Sequence, residues 1–229
     1  GHYARKNLGY LLAIREGASC IYETDDDNAP LDTWQPRFEM TEAHPVLHDG
    51  WVNAFQLFTD RKIWPRGYPL DKINAARQEP LTLDEFPQSL AAPVQQRLAN
   101  NSPDVDAIWR LVLDEPFDFD SGPSLYLKSG SWCPFNSQST WWFPLAYPLM
   151  YLPSYCSFRM TDIWRSFIAQ RCLWEMGFSL VFHGPEVIQE RNAHNLMRDF
   201  ADEIPGYMRN TELVDILERL SLVTGVDAV

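Results

Sequence analysis

The chain has 229 residues, with 19 Lys and Arg against 31 Asp and Glu, a formal net charge of −12, and 45% apolar and 14% aromatic residues. The negative balance excludes sequence-independent binding to nucleic acid, which needs a basic surface to displace counterions, and excludes a polybasic membrane anchor. The apolar content excludes disorder over most of the length, and four dispersed cysteines without a CxxC pair exclude a zinc ribbon.

Residues 3–17 read as an amphipathic helix, with Leu8, Leu11, Leu12 and Ile14 near 3.6 spacing and Gly17 placed to stop it. This opening lacks the basic, apolar and small-residue regions of a signal peptide. Residues 19–22 (SCIY) suit a buried strand, which ends in Glu23-Thr24-Asp25-Asp26-Asp27. Residues 31–80 are irregular and rich in Pro, Trp and Asp, with 51–58 a helix or a strand. A helix is predicted over 83–100 and a strand over 107–113, followed by a loop-rich aromatic stretch to 158. A helix over 161–176 has Thr161 as its cap and expects Ile163, Trp164, Phe167 and Ile168 to be buried. A strand over 178–182 and a terminal helix over 211–222 complete the chain. The most apolar run, 141–153, is too short and too rich in proline to span a bilayer, so no membrane contact is expected. Alternating helices and strands, with no repeat and no linker, predict an α/β fold as one domain over 1–229.

Asp25, Asp26 and Asp27 follow an apolar strand directly, at the edge where open α/β sheets place ligands. Three adjacent carboxylates repel one another, and a hard divalent cation relieves that repulsion. Mg²⁺ typically takes one or two carboxylates together with phosphate oxygens. A solvated acidic turn is the competing reading. Asp104 and Asp106 precede the strand predicted over 107–113, and Arg110 lies within it. They are turn-capping aspartates, or Asp106 and Arg110 reach the same crevice. Asn136, Ser137 and Gln138 stand beside Trp132, Phe135, Trp141 and Trp142, a mixture that suits a sugar ring or an ordinary packed loop. Asp162 opens a helix, where the macrodipole favours a carboxylate. It is either a simple helix-start residue or a base, with Arg165 and Arg171 as surface charges or phosphate clamps. His194 is a late candidate metal ligand, although a lone histidine is more often structural. No P-loop, Rossmann glycine fingerprint, GxSxG or HExxH occurs, and with 11 glycines a metal-bridged phosphate fits better than a glycine cradle.

Taken in order, ARKNLGYLLAIREGA, IYETDDDNAP, PDVDAIWRL, PFNSQST, TDIWRSFIAQRCLWE and RNAHNLMRDF resemble the STELLO-type family of glycosyltransferases. That family is distantly related to the reversibly glycosylated polypeptides. The resemblance implies a GT-A-like fold, a Rossmann-like mixed sheet flanked by helices. In it an Asp-x-Asp motif holds Mn²⁺ or Mg²⁺ and a nucleotide sugar. Asp25 and Asp27 have that spacing, while plant members place acids at the Glu23, Asp25 and Asp26 positions, so the metal pair stays open. Arg5, Lys6 and Asn7, with Asp106 and Arg110, are candidates to bind the donor, a UDP-sugar. Asn136, Ser137, Gln138, Arg165 and Arg171 are further candidates for the same task, and Asp162 is the candidate base toward a glycan or other hydroxyl acceptor. GT-A folds place a strand ahead of the helix that opens this chain, and the sequence shows no such strand. Plant members are Golgi membrane proteins associated with cellulose synthase, which implies the Golgi lumen. A non-catalytic binding or assembly module, or a nucleotide-sugar mutase, are the competing functions.

Overall fold

The computed structural model describes residues 3–76, 81–192 and 195–226. Its strands are β1 (Ile21–Thr24), β2 (Asn28–Pro30), β3 (Met40–Pro45), β4 (Gly50–Trp51), β5 (Gln88–Ala91), β6 (Val94–Asn100), β7 (Leu125–Leu127), β8 (Ser131–Trp132), β9 (Ser139–Trp142) and β10 (Leu180–Gln189). The helices are α1 (Lys6–Arg15), α2 (Ile73–Ala76), α3 (Ala107–Val112), α4 (Thr161–Glu175) and α5 (Leu196–Arg219). Eight strands form one mixed sheet in the order β1-β9-β6-β10-β7-β3-β5, with β2 on β10; β4 and β8 pair separately. This α/β architecture, a sheet flanked by helices, is the Rossmann-type, GT-A-like one expected from the sequence.

The strand β6 carries Gln95, Gln96 and Arg97 in the middle of the sheet, all buried. Residues 83–100 do not form the expected helix. Helix-favouring Ala, Gln, Leu and Arg are overridden there by tertiary bonds, and Pro93 divides β5 from β6. Gln95 Nε2 donates to the Ala92 and Phe38 carbonyls, Gln96 Nε2 to Ser139 O at 3.0 Å, and Arg97 Nε to Glu186 at 2.6 Å. A polar strand is tolerated at this depth because each polar group finds a partner.

Residues 107–112 are α3, not a strand: Asp106 accepts from the Trp109 amide at 2.8 Å and caps the helix. The 19–22 strand lies two residues later as β1, the 178–182 strand is the start of the longer β10, and the terminal helix begins at Leu196. Residues 51–58 give a strand end and a 3-10 turn at Ala54–Leu57. Met160 occupies the capping position of α4, while the Thr161 hydroxyl donates to Ser157 O. Within α4, Ile163 and Phe167 pack with Trp132, Val214 and Leu217, whereas Ala169 and Leu173 join the larger core. Ile168 is exposed and Trp164 only half-buried, its indole donating to Asn210. The α1 stripe is likewise turned outward. Leu8 and Leu11 are 67% and 63% exposed, and Tyr10 is the buried residue of that helix.

One relationship positions the site. β6 and β10 are parallel, and β9 runs antiparallel to both β6 and β1. The carboxyl ends of β1, β6 and β10 therefore open on the same edge, where open sheets bind ligands.

Candidate active site

A cleft of about 620 Å³ lies at that edge. The turn after β1 contributes Asp25, Asp26 and Asp27; the chain after β6 contributes Pro103 and Asp104; the chain after β10 contributes Arg191 and Asn192. Gln138, just ahead of β9, Asp162 at the start of α4, and Tyr3, Arg5 and Lys6 at the start of α1 close the walls. Residues far apart in sequence thus meet because three parallel strands end together.

The acidic turn divides its carboxylates. Asp25 Oδ1 takes Lys6 Nζ at 3.1 Å, and burial pushes the Asp25 carboxyl up to about 6 against the pull of that ammonium. Asp27 accepts from Gln189 Nε2 at 2.9 Å and Asn192 Nδ2 at 3.4 Å, and Asp26 lies exposed at the rim. Glu23, the fourth acid of the motif, lies deeper, 3.8 Å from the same Lys6 Nζ. It is buried in β1, receiving Arg165 Nη1 at 3.0 Å, Trp142 Nε1 at 3.0 Å and the Tyr10 hydroxyl.

Asp162 lines the cleft with both oxygens engaged. Arg66 Nη1 and Nη2 meet them at 2.9 and 2.8 Å, and Ser137 Oγ donates at 3.2 Å. Burial favours the protonated acid here, but the guanidinium of Arg66 overrides it and holds Asp162 well below the usual carboxylate range. Such a carboxylate positions groups; it has little appetite for a proton. The Ser137 hydroxyl also bonds the Tyr3 phenol, and Lys6 Nζ donates to that phenol at 3.2 Å.

Of the other residues singled out by sequence, Arg5, Lys6, Arg110 and Gln138 line the cleft. Asn7 instead clips α1 to Leu152, donating to its carbonyl at 2.8 Å and accepting from its amide at 2.9 Å. Asp106 is buried as the α3 cap, and Asn136 is consumed by Gln96 and the Gln138 amide. Ser137 lies just beneath the cleft wall, on Asp162. Arg165 sits below with Glu23, and Arg171 caps the end of α5 through the Leu217 and Leu220 carbonyls at 2.9 Å each. His194 lies outside the described residues. The aromatic faces expected for a sugar are covered: Trp132, Phe135 and Trp142 are core residues, and Trp141 lies against Tyr22 and Trp34.

Sequence reasoning passed over Arg66, Arg159, Gln189 and Arg191, and gave Asp104 only a turn role. Arg191 follows β10 as the acidic turn follows β1, but the sequence reading ended that strand at 182, seven residues short of its end, so the strand-end rule did not reach it. Arg66 stands in the irregular WPRGYP segment and carries no spacing signal.

Among the described residues, no three His, Cys, Asp or Glu side chains converge to hold a metal by themselves. The donor set nonetheless fits a shared divalent ion. Asp25 is a desolvated carboxylate that gains from a cation, Asp27 keeps unused lone pairs, and a diphosphate supplies the remaining oxygens such an ion needs.

A sheet edge that gathers acids and arginines into one polar cleft defines a Rossmann-type, GT-A-like domain. Comparison agrees: the family model described as STELLO glycosyltransferases matches residues 159–226. The Arabidopsis thaliana protein described as "Probable glycosyltransferase STELLO2" is 31% identical over 205 residues, covering 81% of this chain and 26% of that protein. "Probable glycosyltransferase STELLO1", also from Arabidopsis thaliana, is 31% identical over 203 residues, 80% of this chain and 26% of that protein. Over most of its length the chain is similar to these STELLO glycosyltransferases. It spans about a quarter of the length of the curated relatives it matches.

Proposed function

We propose that this chain forms the nucleotide-sugar site of a metal-dependent glycosyltransferase that moves a sugar from a UDP-sugar to a hydroxyl acceptor in the secretory pathway. The observation that carries the reading is the convergence of three strand ends on one cleft, acids from β1 and basic groups from α1, α3 and the chain after β10. Asp25 and Asp27, with Asp26 at the rim, would hold Mn²⁺ or Mg²⁺. Bound there, the ion neutralises charge that develops on the leaving diphosphate.

The protein's own side chains do the remaining work. Lys6 and Arg5 bring positive charge beside the turn, and Gln138, fixed by Gln189 Oε1 at 2.8 Å, presents an amide to the cleft. Asp162 orients rather than deprotonates, because its oxygens are committed to Arg66 and Ser137. That commitment favours a second reading, a module that binds the nucleotide sugar without turning it over.

Calorimetric titration with Mn²⁺ and a panel of UDP-sugars tests both. Asp25→Ala with Asp27→Ala should abolish metal-dependent binding and leave the fold intact; unchanged affinity removes the turn from the site. Release of UDP on adding an acceptor separates transferase from binding module. Asp162→Asn decides the base question: a loss of ~100-fold or more in turnover at unchanged donor affinity would restore Asp162 as the base.

A further inference from the structure

We propose that Arg110, with Arg191 beside it, anchors an oxyanion subsite in the cleft that is separate from the acidic turn. The inference deepens the nucleotide-sugar reading and rests on it for the choice of ligands. Five arginines are buried among the described residues: Arg66, Arg97, Arg110, Arg165 and Arg171. Four have a carboxylate partner. Arg66 has Asp104 and Asp162, Arg97 has Glu186, Arg165 has Glu23 and Arg171 has Glu175.

Arg110 has no acidic partner among the described residues, although it is only 6% exposed. Its Nη2 donates to Ser102 Oγ at 2.9 Å and to Pro103 O at 2.6 Å, which fixes the side chain just beyond β6. Its Nε is buried with no hydrogen-bond partner, and the guanidinium lies over the Trp109 ring at 5.5 Å. The group lines the cleft wall together with Arg191. Burial, reinforced by the charges of Arg191 and Arg159, pulls the Arg110 guanidinium down to about 10 against the pull of Asp104 and Asp114. Arg191 is lowered as well, by burial and by Arg159, despite its ion pair with Asp199 at 2.9 Å. A buried cation whose nearest acids do not pair with it is unfavourable in the empty protein. A bound anion supplies the missing charge and reverses both shifts.

The planar fork of a guanidinium matches two oxygens of a phosphate or a carboxylate. A nucleotide sugar offers both chemistries, in its diphosphate and in the carboxylate of a uronic sugar. The experiment is a calorimetric comparison of wild type, Arg110→Gln and Arg110→Lys with inorganic pyrophosphate, UDP, UDP-glucose and UDP-glucuronate, with Mn²⁺ and again with a chelator. Arg110→Gln should weaken pyrophosphate and UDP about tenfold to a hundredfold in both conditions, with partial recovery in Arg110→Lys. A loss confined to UDP-glucuronate supports the subsite and assigns its anion to the sugar. Equal affinities of wild type and Arg110→Gln for all four ligands overturn it. A wild type that binds pyrophosphate but no UDP compound sinks the nucleotide-sugar reading, while a pyrophosphate loss in Arg110→Gln still upholds the subsite. Thermal unfolding controls for folding: a fall of more than a few degrees with affinities unchanged makes Arg110 structural and overturns the proposal.

Discussion

Arg66 grips Asp162 with two terminal nitrogens, at 2.9 and 2.8 Å, from a loop 96 residues earlier in the chain. The same guanidinium takes both oxygens of Asp104 at 2.8 Å, so one cation ties the chain after β6 to the start of α4. Arg159 extends the network to α5 through Glu203 at 2.8 Å. The floor of the cleft is thereby a chain of alternating charges, Asp162, Arg66, Asp104, Arg159 and Glu203, whose three inner members each have two neighbours.

Breaking that chain at one end should be costly. Asp162→Ala leaves Arg66 half-paired in a buried place, and loss of one partner of such a pair is worth about 3–5 kcal/mol. The Asp162 carboxyl is lowered in the folded state. Its contribution is therefore complete above the unfolded carboxylate value of about 3.9 and disappears as pH falls through the lower folded value. Urea unfolding from pH 7 to 2 should show the gap between wild type and Asp162→Asn closing only at the acid end.

Asp106 should give the opposite slope. Burial raises it to about 6 despite bonds from the Trp109 amide and the Trp64 indole. A raised carboxyl favours the native state while protonated, so its contribution is complete below pH of about 4 and declines as pH rises through 6. In Asp106→Asn that decline should vanish, a relative gain of about 1–3 kcal/mol between pH 4 and 7 by urea unfolding. A difference that stays constant with pH excludes Asp106 as the titrating group.

Gly67 directly follows Arg66 and has φ of +90°, a conformation that side chains resist. An added Cβ would also press on Ile163 Cγ2 and, at 3.2 Å, on Pro134. Gly67→Ala should cost about 2–4 kcal/mol by thermal or urea unfolding, combining backbone strain with overpacking. Because Ile163 adjoins Asp162, affinity for UDP should fall too, and a fully stable Gly67→Ala variant would contradict this account.

Glu23 and Asp27, both within the acidic motif, should separate stability from binding. Glu23→Ala strands the buried Arg165 and is expected to destabilise by about 3–5 kcal/mol. Asp27→Asn should change unfolding by less than about 1 kcal/mol, as expected near the surface, and weaken Mn²⁺-dependent UDP binding. The reverse outcome, a stable Glu23→Ala with lost metal response, would move the metal into the strand.

The α/β class, the acidic turn at a strand's carboxyl end and α4 were legible because each rests on local signals, an apolar run with a charged stop or an amphipathic helix start. Residues 83–100 were illegible because Gln95, Gln96 and Arg97 look helical until their partners on Asn136, Ser139 and Glu186 are known. Arg66 was missed for the same reason, since nothing local ties a loop arginine to an aspartate in α4. Arg110 was singled out in a predicted strand and reaches the cleft from a helix instead. The chemistry of an arginine beside two aspartates was readable, but the element that presents it depended on Asp106 acting as a cap.

The α1 helix turns its leucines outward and is fastened by Tyr10 on Glu23, Asn7 on Leu152 and Lys6 on Asp25. Ten residues make too few turns to persist alone in water, so its backbone amides should exchange with deuterium through a partial opening that leaves the sheet intact. Two of those three fastenings belong to the acidic motif. Occupancy of the cleft and order of the helix are then one linked equilibrium, in which a ligand that engages Lys6 slows exchange along α1 to a degree set by its concentration relative to its Kd.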